Sequence, residues 1–322
     1  MHPRYLGWFF NTLSQPSYPM NTLIDIIQRK TKLNVVSSTE ITQGYSKDLK
    51  FKLLDQYGKS YFLRISGKSN HEKLDHEWHV LNMLVDASFP VSKPIAYFVH
   101  HQSTYLITEW IPGDQLSNVI NTYSTIDQYR LGMRVGELMH QYHLMMKAKG
   151  DLTSFVTRKC FEATVDFDRV GCEHELNILE TYIKDNLHFL DDPNPVVEHS
   201  DFHLGNLILH VNDLYIIDFN GSHLGSIYDE FYKLDLFDME ISRPYVFGVM
   251  KCYLSYVDPV LFFRKHLLFV AIACISSLRY GRKEGGQIFE QELKRIRRII
   301  HEYDDFRSIL PLWMINKEDD LD

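Results

Sequence analysis

His199-Ser200-Asp201-Phe202-His203-Leu204-Gly205-Asn206, followed by Ile217-Asp218-Phe219-Asn220, is the stretch whose reading decides the fold of this chain. Between the two segments, Leu207-Ile208-Leu209 reads as an apolar strand, Val211-Asn212-Asp213 as a turn, and Leu214-Tyr215-Ile216-Ile217 as the returning strand. The hairpin delivers Asp218 at the strand end. Two carboxylates and an amide around such a hairpin suit phosphoryl transfer, which asks for positioning and charge neutralisation more than covalent work. Asp201 is the candidate to orient an acceptor hydroxyl and take its proton. Asn206 offers a neutral oxygen and Asp218 a charged one to Mg²⁺, which takes oxygen ligands and usually only one or two carboxylates.

The spacing His199-x-x-x-His203 also suggests zinc, but no third ligand stands at a defined spacing. His199 is better read as a brace for the loop. Asn212-Asp213 is ordinary turn chemistry.

The same residues resemble the aminoglycoside phosphotransferase family of small-molecule kinases, whose signature is H-x-D-x-H-x-x-N followed by I-D-F/W. All four signature letters are present as His199, Asp201, His203 and Asn206, and Ile217-Asp218-Phe219 continues the match. Gly225-Ser226-Ile227-Tyr228-Asp229-Glu230-Phe231 also looks like that family. Protein kinases share the wider fold but read H-R-D and D-F-G. Here the letters are His-Ser-Asp and Asp-Phe-Asn, so the small-molecule branch is the better match. The resemblance implies a two-lobed, protein-kinase-like α+β fold. Residues 1–109 would form an N-terminal nucleotide-binding lobe built on an antiparallel sheet. Residues 110–322 would form a mainly helical C-terminal catalytic and substrate-binding lobe. ATP (or GTP) and Mg²⁺ are the implied cofactors. His199 and His203 would support the catalytic loop, and Asp229 would cap the helix after the metal loop.

The upstream chain supplies the expected landmarks. Val35 to Thr42, Lys50 to Leu54 and Tyr61 to Ile65 read as strands, with a turn at Gln43-Gly44-Tyr45-Ser46-Lys47-Asp48. Gly44 and Ser46 fall on the turn that would face the nucleotide, which holds a single glycine and no G-x-G-x-x-G. Arg64 stands on the third strand, where the family commonly has Lys; its planar fork can bind phosphate bidentately. His71 to Val85 shows apolar residues at helical period through Leu74, Trp78, Leu81 and Leu84. Glu77 lies on that helix, away from the Trp78 stripe, and would pair with Arg64. Thr104 to Gly113 reads as an apolar strand ending in Glu109-Trp110 and a Pro-Gly breaker. It resembles the hinge between the lobes, where backbone groups of Glu109 and Ile111 would hydrogen-bond adenine.

A chain of 322 residues, 45% hydrophobic, is long enough for two lobes. The net charge of −8, with no Lys/Arg cluster interleaved with aromatics, argues against a nucleic-acid partner and is compatible with a cationic small molecule. Cys160, Cys172, Cys252 and Cys274 form no C-x-x-C and read as reduced thiols of a cytoplasmic protein. The apolar run Leu267 to Leu278 is shorter than a span of about 20 residues, so no membrane partner is expected.

The remainder reads as helices over 126–146, 172–190, 234–239, 246–256, 261–280 and 287–303. The first would carry Tyr129, Met133, Leu138 and His140. Lys294, Arg295, Arg297 and Arg298 read as a solvated helix face. Glu173, Glu175, Asp235, Asp238 and Glu240 are candidates to line the acceptor side. The expected activity is ATP-dependent phosphorylation of a hydroxyl on a small molecule, an aminoglycoside-like amino sugar first. Choline, homoserine, sugar or macrolide kinases are the alternative, followed by a non-catalytic nucleotide-binding scaffold. A peptide kinase is disfavoured, because the short stretch 219–227 leaves little room for an activation segment.

Overall fold

The computed structural model describes residues 20–42, 48–150, 152, 158–160, 167–190 and 195–315. Gly44 and Ser46 lie outside the described residues. The chain divides into two compact units, Met1–Trp78 with Lys93–Trp110, and His79–Ser92 with Ile111–Asp322.

The first unit holds an antiparallel sheet of β1 (Val35–Glu40), β2 (Leu49–Asp55), β3 (Ser60–Gly67), β4 (Pro94–His100) and β5 (Ser103–Glu109), in the order β1-β2-β3-β5-β4. Tyr61, Leu63 and Ile65 alternate along β3 and bury one face. They share a core with Tyr105 and Ile107 of β5 and with Leu23 and Ile27 of α1 (Met20–Lys30). Neither α1 nor β4 was expected from the sequence. β4 opens on Pro94, tolerated because it begins an edge strand. The β2–β3 turn is tied by Asp55, which accepts the N–H groups of Tyr57 and Lys59 and the Tyr61 hydroxyl, each at 2.9 Å.

α2 (His71–Asp86) corrects one expectation. Its buried stripe is Leu74, Glu77, Leu81 and Leu84, so Glu77 lies on the inward face rather than away from it. Trp78 is only half-buried and stacks on Tyr97 with ring centroids 5.8 Å apart.

In the second unit, α3 (Thr125–Met145) packs against α5 (Arg243–Tyr253). Ser124 and Ser242 cap them by accepting the N–H groups of Asp127 and Tyr245, each at 3.2 Å. The contact is glycine-lined. A Cβ on Gly132 would fall 2.1 Å from the Tyr245 carbonyl oxygen, and one on Gly248 would fall 2.2 Å from that of Tyr129. The buried side of α3 is therefore Leu131, Val135, Met139 and Tyr142; the expected row Tyr129, Met133, Leu138 and His140 is half-buried.

A second core joins α4 (Glu173–Asn186), α6 (Pro259–Glu284) and α7 (Gly286–Glu302). By length and composition α6 could cross a membrane, and it extends well beyond the apolar run read from the sequence. However, 61% of its most apolar window is buried within the protein. Asp258 caps it, accepting the Leu261 N–H at 2.9 Å. The basic run on α7 is not simply a solvated face. Lys294 and Arg297 are exposed, but Arg295 and Arg298 are half-buried and paired with Glu240, Glu292 and Glu302.

Two small strand groups position the site. β6 (Asp114–Gln115), β8 (Leu207–His210) and β9 (Asp213–Ile216) form one sheet, and β7 (Val196–Glu198) pairs with β10 (His223–Gly225). Val91 bridges Ile216, which ties the segment after α2 to this unit. The stretch 234–239, expected as an ordinary helix, is a π-helical turn at Leu234–Asp238.

Candidate active site

Register in the β8–β9 hairpin brings its two ends together. Leu207 faces Ile216, and one step further the Ile217 N–H donates to the Asn206 carbonyl at 3.0 Å. Asp218 follows at once, in the left-handed region with φ 68°. Ser200 is left-handed too, with φ 66°. Such conformations cost non-glycine residues about 1–3 kcal/mol each and persist only where neighbours hold them.

The neighbours are explicit. Glu230 is fully buried and accepts two consecutive N–H groups, His199 at 2.6 Å and Ser200 at 2.9 Å. The Ser200 hydroxyl donates to the Gly221 carbonyl at 2.7 Å. The His199 ring receives the Asp201 N–H at Nδ1 (3.2 Å) and faces the Ile217 carbonyl through Nε2 (2.9 Å). That pattern assigns the neutral Nε2–H tautomer and links the loop of Asp201 to the loop of Asp218.

Asp201 receives several donors. Asn206 Nδ2 donates to its carbonyl at 2.8 Å and to its Oδ2 at 3.0 Å. Lys233 Nζ is ion-paired with Oδ1. His203 Nδ1 accepts the Gly205 N–H at 3.0 Å, so Nε2 carries the proton and lies 3.4 Å from Oδ1. Burial pulls the Asp201 carboxyl upward, but the His203 hydrogen bond and the Lys233 charge outweigh it and hold the group well below the usual carboxylate range.

The donor set fits a hard cation shared with phosphates. The amide nitrogen of Asn206 is committed to Asp201, which leaves its oxygen for a metal, and Asp218 follows the Ile217 that bonds the Asn206 backbone. Among the described residues there is no group of three or more His, Cys, Asp or Glu that could hold a metal alone, and both histidines of the His-x-x-x-His spacing are engaged in loop hydrogen bonds.

In the first unit, Arg64 Nη1 and Glu77 Oε2 form a buried ion pair at 2.9 Å. Glu109 is ion-paired with Lys59, and its N–H donates to the Lys93 carbonyl at 2.8 Å. Any adenine contact of Glu109 must therefore use its carbonyl. Ile111 accepts the Gly113 N–H at 2.9 Å, so its carbonyl is the committed group. Gly113 is required where it stands: a Cβ there would fall 2.4 Å from the Leu209 carbonyl oxygen.

Several assignments change. Asp229 caps no helix; it is buried and ion-paired with Lys159, and burial pushes it up to about 6. The acids expected on the acceptor side are engaged within the protein. Glu173 accepts the Gly171 N–H at 2.9 Å, Glu175 pairs with Arg297 at 2.5 Å, and Glu240 pairs with Arg295 at 3.1 Å. Asp235 takes His266 and the Tyr303 hydroxyl, each at 2.8 Å, and Asp238 accepts the Leu204 N–H at 3.0 Å. Sequence reasoning missed Glu230 and Lys233. Glu230 had a signal in being an acid among aromatic and apolar neighbours; Lys233 had none.

A sequence model of the phosphotransferase enzyme family matches residues 37–246. No curated protein matches the sequence. Among solved structures, aminoglycoside phosphotransferase APH(4)-Ia aligns with a TM-score of 0.64 at 14% identity, covering 87% of this chain and 97% of its own. The GDP and kanamycin complex of APH(2")-IIia aligns with a TM-score of 0.67 at 14% identity, covering 86% and 97%. Amicoumacin kinase hAmiN, in complex with AMP-PNP, Ca²⁺ and Ami, aligns with a TM-score of 0.61 at 13% identity, covering 89% and 94%. These likenesses show the two-lobed kinase-like fold, and the family match extends from β1 to α5. The chain belongs to the phosphotransferase enzyme family and is a small-molecule kinase.

Proposed function

We propose that this kinase uses ATP (or GTP) with Mg²⁺ to phosphorylate a hydroxyl of a small molecule, with aminoglycoside-like amino sugars as the first acceptor class. The observation that carries the reading is the bond from Asn206 Nδ2 to Asp201. It sets a proton acceptor beside an amide oxygen and next to the hairpin end that bears Asp218. Mg²⁺, held by Asn206 and Asp218, would neutralise nucleotide phosphate charge. Asp201 orients the acceptor hydroxyl and takes its proton. Arg64, held by Glu77, serves as a phosphate contact. The Glu109 carbonyl and the Ile111 N–H serve the adenine. The amino-sugar class rests on the likeness to aminoglycoside kinases and on the net charge of −8, since the acids named from the sequence are engaged elsewhere.

The test is a phosphorylation panel of aminoglycosides, macrolides, choline, homoserine and sugars with ATP and GTP. Asp201→Asn should lower kcat by about 10²-fold or more, the scale of general-base catalysis, with Mg²⁺–nucleotide affinity kept within a few-fold. Asp218→Ala should weaken nucleotide binding only when Mg²⁺ is present. A panel without phosphorylated product, or wild-type kcat in Asp201→Asn, would overturn the assignment. Turnover of uncharged acceptors alone would replace the amino-sugar class.

A further inference from the structure

Lys233 immediately precedes the π-helical turn Leu234–Asp238. Turns of this wider kind are rare and recur at functional sites. Both ends of this one reach the catalytic loop. Lys233 Nζ is paired with Asp201 Oδ1, and Asp238 accepts the Leu204 N–H at 3.0 and 3.2 Å. The turn is itself fastened to α7, because Arg298 Nη2 donates to the Asp235 carbonyl at 2.6 Å. On the far side of the carboxylate, Asn206 Nδ2 holds Oδ2 at 3.0 Å.

The Asp201 carboxylate is thus held at both oxygens, by one donor from its own loop and one from 32 positions downstream. A carboxylate offers about four lone-pair sites, so these anchors leave room for an acceptor hydroxyl. The Lys233 side chain is 17% exposed against 35% for Asp201, so the ammonium is the more enclosed partner. Without it, Oδ1 keeps only the long contact to His203.

We propose that Lys233 is a positioning residue for phosphoryl transfer, its ammonium fixing the Asp201 carboxylate in the orientation from which it takes the acceptor proton. This deepens the phosphotransferase reading and rests on it. In the step served, the acceptor O–H bond breaks and its proton goes to an Asp201 oxygen. The hydroxyl oxygen forms the new O–P bond, and the bond from the γ-phosphorus to the nucleoside diphosphate breaks with its electron pair leaving on the diphosphate.

The experiment compares Lys233→Met, Lys233→Arg, Asp201→Asn and the Asp201→Asn/Lys233→Met double variant. Lys233→Met should lower kcat by about 10²-fold, the cost of misplacing a reacting group by an ångström. Nucleotide Kd should stay within a few-fold, and Lys233→Arg should recover part of the loss. The double variant should be no more than a few-fold slower than Asp201→Asn, because both changes remove one interaction. Acylation of Lys233 by an amine-reactive ester, followed by mass spectrometry, should be slow in the wild type and faster in Asp201→Asn. Wild-type kcat in Lys233→Met, full additivity, or equal acylation rates would each overturn the proposal. If no acceptor is phosphorylated by the wild type, the phosphotransferase reading fails, while the acylation contrast still decides whether the pair exists. Should Lys233→Met fail to fold, Lys233→Gln takes its place in the same comparison.

Discussion

Arg64 on β3 and Glu77 on α2 form an ion pair at 2.9 Å, with side chains only 3% and 6% exposed. Removing one partner strands a charge away from water, which costs about 3–5 kcal/mol. Arg64→Ala and Glu77→Ala should each lower stability by that order and raise the KM for ATP. The double variant should lose less than the sum of the singles. Urea denaturation and initial-rate kinetics on the four proteins check this, and additive losses would show the residues acting independently.

Glu230 holds the N–H groups of His199 and Ser200, and with them the left-handed Ser200. Glu230→Ala leaves the buried His199 N–H and the half-buried Ser200 N–H without their acceptor, at up to about 1–3 kcal/mol each. The loop bearing Asp201 should relax, so kcat should fall further than nucleotide affinity. Glu230→Gln should lie between, since one acceptor oxygen survives. Denaturation midpoints with kcat and nucleotide Kd provide the check.

Asp229 gives a pH signature. Burial raises it from 3.8 to about 6, the Lys159 charge opposes that, and nearby Glu198 adds to it. The folded state therefore binds its proton more tightly than the unfolded state does. The resulting stabilisation is fully present below pH about 4 and is lost as pH rises through about 6. The lowered carboxyls of Asp55, Asp127 and Glu137 act in the opposite sense, so the difference between two proteins is the useful quantity. Subtracting the Asp229→Asn stability profile from the wild-type profile should leave a curve that falls between pH 4 and 6. A flat or rising difference would contradict the raised value.

Gly132 touches backbone where α3 crosses α5. An added methyl would lie 2.1 Å from the Tyr245 carbonyl oxygen and 2.9 Å from the Val249 nitrogen. Gly132→Ala should destabilise by about 1–3 kcal/mol through overpacking. This outweighs the gain of up to about 1 kcal/mol that Ala brings to a helix interior. Gly67→Ala, where no atom lies within 4 Å, should change the melting temperature little. Thermal melts of the two variants beside the wild type compare them.

The sequence by itself determined the hairpin between Asn206 and Asp218, the loop that opens at His199, and the order of Arg64 and Glu77. In the loop and hairpin the residues are neighbours along the chain, and a strand–turn–strand of fixed register carries them to one place. A helix following a strand does the same for Arg64 and Glu77. The tertiary structure decided everything that depends on what packs against a side chain. Asp235 and Asp238 look like surface acids in the sequence, but a histidine, a tyrosine and a loop N–H reach them from elsewhere in the chain and remove them from an acceptor's reach. Lys233 is one lysine among many until the π-turn aims it at Asp201. Glu230 rather than Asp229 holds the loop, because adjacent positions leave this turn in different directions. Burial and pairing between distant segments set whether a charged group is available for chemistry, and neither is written in local sequence.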